Sequence, residues 1–238
     1  MAAQENLEQR PLQLMLPHHI TKVKKLVILI VSIVSAIGPL ERHEIPFDDI
    51  KISRLMTKIK PNGRVRVILN LSKGDPYCVN QGTRKEDFPT LMGSIKKFIV
   101  MLNSCGRGAQ FCKNDWAAAY KQVRVRPDDV RLQFFKWLGK YFAELALVFG
   151  GVSSAGIYDR LAKIVLFIVI QLSGLPAHLV CQYLDDVVGV SPAGSGMTHK
   201  FDKTYQQNCL QIGGKANSRT FCRISQPHKL RSIYRLLR

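Results

Sequence analysis

The sequence predicts an α+β chain made of antiparallel hairpins with helices packed on them, and three observations carry that reading. Pro61-Asn62-Gly63 is a turn signal, and Arg64-Val65-Arg66-Val67-Ile68-Leu69 after it alternates and then turns apolar, as a hairpin strand does. His178-Leu179-Val180-Cys181 and Val187-Val188-Gly189-Val190 flank the polar pair Asp185-Asp186, which reads as a second hairpin with acids at its turn. Between the two, the stretch from about 154 to 172 opens on N-cap residues and closes at Gly174, so it reads as a long helix.

The chain has 238 residues, enough for one large domain or two small ones. Hydrophobic residues make up 46%, which excludes general disorder. Lys and Arg number 35 against 17 Asp and Glu, a net charge of +18, so the favoured partner is a polyanion such as nucleic acid. The six cysteines (Cys78, Cys105, Cys112, Cys181, Cys209 and Cys222) form no CxxC or Cys/His metal spacing. Thiols set in apolar runs fit a reducing, intracellular compartment, cytoplasmic or nuclear and not secreted.

In chain order, residues 1–45 form an N-terminal segment with an apolar run at 26–40, LVILIVSIVSAIGPL. A spanning helix needs about 20 apolar residues, so a buried strand or core helix is favoured over a membrane role. The hairpin around residue 61 has basic residues near its tip, suited either to a solvated edge or to phosphate. Residues 72–88 read as loop, and 90–103 as a helix ended by Gly106-Arg107-Gly108. Phe111 and Cys112 lead as a strand to Asp115, and a turn follows into Trp116-Ala117-Ala118-Ala119-Tyr120. Two strands are expected at 131–135 and 141–149, joined by Leu138-Gly139-Lys140. The helix at 154–172 holds seven consecutive apolar residues, Ile164 to Ile170, and is expected to be buried all round. A further helix is expected at 199–210, and 226–238 is a basic tail.

An Asp-Asp pair at a turn is by itself ordinary turn chemistry. Here Asp115 also ends a strand-like run, so three carboxylates can gather at one sheet edge. Carboxylates that close repel one another unless a cation lies between them. Mg²⁺ takes hard oxygen ligands and substrate phosphates, and a pair of such ions serves in-line phosphoryl displacement.

Four motifs then resemble those of reverse transcriptases, in that family's order, over roughly residues 55–225. Tyr183-Leu184-Asp185-Asp186 is similar to the YxDD hairpin. Asp115 followed by Ala119-Tyr120 resembles the first acidic motif. Phe149-Gly150 with Ser153-Ser154-Ala155 resembles the "FG…SSAP" motif, and Lys60-Pro61-Asn62-Gly63 leading to Arg66 resembles the fingers hairpin. The wording of these motifs looks most like the DIRS-type, tyrosine-recombinase retrotransposons of animals.

The resemblance implies a polymerase right-hand fold, with fingers at 46–109 and a palm at 110–225 whose central antiparallel sheet is backed by helices. The thumb would be absent or truncated, and the RNase H and recombinase domains of the parent polyprotein would be missing. It implies an RNA-directed DNA polymerase acting on an RNA template, a DNA primer and dNTPs. Two Mg²⁺ ions, with Mn²⁺ able to substitute, would lie on Asp115, Asp185 and Asp186. Lys60, Arg64 and Arg66 would hold the triphosphate, helped by the backbone from Trp116 to Ala119. Tyr120 would be the steric gate against a 2′-hydroxyl, Phe149 and Gly150 would line the nucleotide pocket, and Tyr183 would touch the primer. Gly156 stands where the family commonly has Pro, and Asn114 where an apolar or basic residue is commoner. A second reading, a catalytically silent remnant that only binds nucleic acid, stays open. A third, a small membrane-associated protein, rests on 26–40 alone.

Overall fold

The computed structural model describes residues 10–11, 35–59, 61, 63, 65–74, 77–211 and 216–223. In chain order its strands are β1 (Arg10–Pro11), β2 (Ala36–Leu40), β3 (Ser53–Ile59), β4 (Val65–Gly74), β5 (Gln110–Trp116), β6 (Phe134–Trp137), β7 (Lys140–Glu144), β8 (Val180–Tyr183), β9 (Asp186–Ser191) and β10 (Ala216–Arg223). The α-helices are α1 (Ile95–Cys105), α2 (Ser154–Ser173) and α3 (Met197–Gln211). The chain divides into two compact units, Met1–Pro89 with Tyr120–Ile157 and Thr90–Ala119 with Tyr158–Arg238.

The first unit carries two three-stranded antiparallel sheets, ordered β1-β3-β4 and β2-β7-β6. The hairpin expected around residue 61 is β3–β4, with Lys58 opposite Arg66. Gly63 takes the left-handed conformation (φ 72°) that such turns ask of glycine. Leu69, Leu71, Phe135, Phe142 and Val148 form one core cluster, in which the rings of the cross-strand pair Phe135 and Phe142 stack at 5.3 Å. Ile45, Val130, Phe134 and Ala143 form another. The expected strands at 131–135 and 141–149 are shorter and shifted. A 3₁₀ turn at Pro127–Leu132 delays the first, because Pro at its start favours that turn. The second ends at Glu144, and only Ala146 bridges beyond it, to Arg124. Of the apolar run 26–40, residues 26–34 lie outside the described residues, and Ala36–Leu40 is β2.

The second unit is built on one antiparallel sheet, ordered β10-β5-β9-β8. Helix α3 packs on β5, β9 and β10, and α1 packs on β8 and β9. Phe201, Tyr205 and Cys209 are the buried side of α3. Gly189 of β9 gives room for Phe201, whose ring would lie 3.1 Å from a Cβ there. The Phe98 ring of α1 meets Phe111 of β5 edge-on at 5.6 Å. Helix α1 starts at Ile95 and not at 90. Ser94 caps it, its Oγ accepting the Lys97 N–H at 3.2 Å, while the Leu91 and Gly93 N–H groups are drawn to Asp159 Oδ2 and Gln182 O. Helix α2 runs as expected and is closed by Gly174 (φ 74°). It is not buried all round: Val165 and Val169 are buried, but Ile164, Phe167 and Leu172 are more than half exposed. Among the described residues no helix is long and apolar enough to cross a membrane.

Candidate functional site

Strand β5 lies between β10 and β9, and Phe111, Cys112, Lys113 and Asn114 along it are all buried. Strand alternation puts Lys113 and Asp115 on one face and Asn114 and Trp116 on the other. The register then sets Asp115 opposite Asp186 of β9, and opposed residues share a face. Two carboxylates so placed repel. Lys113 answers one of them, with its Nζ 3.0 Å from Asp186 Oδ2.

Leu184 and Asp185 make the turn between β8 and β9. Leu184 sits at φ 50°, a left-handed conformation that side chains resist. The surroundings hold it there. Gln182 Nε2 donates to Leu184 O at 2.9 Å, and the Trp116 N–H donates to Asp185 O at 3.1 Å. The Gly93 N–H donates to Gln182 O at 2.6 Å. A side chain at 93 has no room, since a Cβ would lie 2.8 Å from the backbone oxygen of Gln182. The Trp116 N–H therefore fastens the hairpin, whereas the resemblance implied that it helps to hold phosphate. Asp185 is the second residue of this turn and is half-buried. Burial, above all, pushes its carboxyl above the usual carboxylate range; the charges of Asp186 and Asp115 add to this, and Lys113 opposes it. Tyr183, the expected primer contact, is exposed.

Among the described residues no three His, Cys, Asp or Glu side chains are arranged as a ready metal cage. Mg²⁺ does not require one, because it is commonly held by one or two carboxylates with substrate phosphates and water. Asp115 and Asp185 offer hard oxygens, and their mutual repulsion is what a cation would relieve. The residues fit the ion.

The first unit brings together four of the expected nucleotide residues. The Arg66 guanidinium carbon lies 5.1 Å from the centre of the Phe149 ring, a cation–π contact. The Tyr120 ring lies 4.8 Å from the same ring, tilted by 57°. Gly150 packs so closely under β4 that a Cβ would stand 1.8 Å from Leu69 O, so no other residue fits there. Asn80 holds this loop by both ends of its amide. Its Nδ2 donates to Gly150 O at 2.7 Å, and its Oδ1 accepts the Val152 N–H at 3.0 Å. Gly156 is likewise filled from outside, a Cβ there lying 2.6 Å from Phe88 O, which accounts for glycine where the family commonly has Pro.

Lys60 and Arg64 lie outside the described residues. Ala119 is buried in the turn after β5, and the Trp116 ring meets Tyr158 edge-on at 5.5 Å. Sequence reasoning missed Lys113, Asn80, Gln182 and Gly93. For Lys113 a signal existed, a lysine inside an apolar strand two places before an acid. For Asn80 and Gly93 none did, because their partners are distant in sequence.

No protein-family model and no curated protein matches the sequence. Solved structures do. The prototype foamy virus protease-reverse transcriptase, as its selenomethionine-labelled CSH mutant, matches with a TM-score of 0.61, and the native enzyme with 0.59, each at 17% identity. Each match covers 94% of this chain, and 27% or 26% of the other, so the chain spans about a quarter of its neighbours' length. The chain thus has a reverse transcriptase-like fold of mixed helix and antiparallel sheet.

Proposed function

We propose that the chain is the fingers and palm of a retrotransposon reverse transcriptase, of the DIRS type by its motif wording. It adds deoxynucleotides from dNTPs to a DNA primer on an RNA or DNA template. The observation that carries this reading is the Asp115–Asp186 register beside a strained turn presenting Asp185. Asp115 and Asp185 would hold Mg²⁺, or Mn²⁺ in its place, with Asp186 the third carboxylate of the cluster. When bound, the metal supplies charge neutralisation for phosphoryl transfer.

The chain's own residues do the rest. Arg66 offers a planar guanidinium to triphosphate oxygens. Phe149 holds that guanidinium by its ring face, and Tyr120, packed on the same ring, closes the space that a 2′-hydroxyl would need. Gly150 adds a small surface to the nucleotide pocket, and exposed Tyr183 meets the primer end. The net charge of +18 suits a template-primer, and a cytoplasmic or nuclear setting follows from that substrate.

Primer extension on an RNA template with Mg²⁺ and dNTPs tests the reading. The purified chain is expected to extend the primer. A folded chain that binds template-primer and extends nothing would instead establish the binding-only remnant.

A further inference from the structure

Lys113 is buried in the central strand of the second unit, its side chain 7% exposed. A charged amine in that setting needs a counter-ion at hand. Its ion-pair partner is Asp186, 3.0 Å away and 30% exposed. The pairing follows from register. Asp186 stands directly across from Asp115, and Lys113 is two residues before Asp115 on the same face, so lysine and aspartate meet on the diagonal.

We propose that Lys113 is a built-in counter-cation that neutralises Asp186, so that divalent ions rest on Asp115 and Asp185, and that this lysine sets how tightly the site takes them. The inference rests on the polymerase reading of the same carboxylates. Lys113 is a positioning residue. It fixes the base of the hairpin by holding β9 to β5, and its positive charge offsets part of the negative charge that the acids carry together. With that part unmasked the site would bind Mg²⁺ or Mn²⁺ more tightly, because a divalent ion gains from each uncompensated carboxylate nearby.

The experiment is calorimetric titration of the full chain with Mn²⁺ and with Mg²⁺, without nucleotide or primer, alongside thermal unfolding of each variant. Lys113→Met is expected to tighten metal binding about tenfold. The double variant Lys113→Met with Asp186→Asn removes both charges as a pair. It is expected to unfold as one transition and to bind metal within about threefold of the wild type, since a neutralised pair is exchanged for a neutral one. A tenfold or greater loss in the double variant would make Asp186 an ion ligand and overturn the inference. Unchanged affinity in Lys113→Met would overturn it too. Asp185→Asn should lose the metal in any case. If the wild type itself binds no ion in an Asp185-dependent way, the metal site fails, and the inference with it. That outcome is distinct from metal binding that simply ignores Lys113.

Discussion

Asn114 is fully buried on β5, and neither end of its side-chain amide has a hydrogen-bond partner among the described residues. An unmet buried amide costs about 1–3 kcal/mol. Asn114→Leu, of similar size, should therefore raise the unfolding temperature, and a lower one would show that the amide is satisfied. Glu144 is a second buried polar group. Burial raises its carboxyl above the usual value, although Lys121 Nζ lies 2.5 Å from its Oε1 and pulls the other way. A carboxyl raised on folding holds its proton better in the folded chain. Its contribution is thus fully present below the unfolded pKa and is lost as pH rises through the folded one. Urea unfolding should show the wild type losing stability relative to Glu144→Gln as pH rises above the ordinary carboxyl value of 4.5. A constant difference would contradict the sign. At this scale the three acids and the Arg66, Tyr120 and Phe149 set were legible, because charge and aromatic character are written in single letters. Lys113 was not, because its pairing with Asp186 depends on a register that one strand does not disclose.

The hairpins are the elements that position everything else. Their turns were legible from Pro61-Asn62-Gly63 and from the β-branched runs around Asp185-Asp186. The start of α1 was not, because the Leu91 and Gly93 N–H groups are claimed by Asp159 and Gln182, residues far along the chain. Nor was the exposed side of α2. Seven apolar residues in a row do not say which of them a neighbour will cover. The loop from Phe149 to Val152 owes its place to Asn80, which bonds Gly150 O, the Val152 N–H and Ser72 Oγ. Losing such bonds costs about 1 kcal/mol each. Asn80→Ala should raise the KM for dNTP several-fold while leaving template-primer affinity alone, and rescue by Asn80→Asp should be partial, since the acid keeps the acceptor and loses the donor. If template binding fell first, Asn80 would belong to the template face.

The whole molecule is a polycation, and that was plain from composition alone. Its division into two discontinuous units was not. Residues 90–119 fold with 158 onward, a pairing fixed by long-range strand register and not by any local signal. If phosphates carry the binding of template-primer, affinity should fall linearly on a log–log plot against salt, by at least about tenfold between 50 and 200 mM. A flat dependence would remove nucleic acid as the partner of the positive charge. The most direct test of the central claim compares wild type with Asp185→Asn, measuring single-nucleotide incorporation and template-primer binding in the same samples. Incorporation should vanish in the variant while binding stays within a few-fold of wild type. A variant that still incorporates dNTP would place the chemistry somewhere other than the β8–β9 turn.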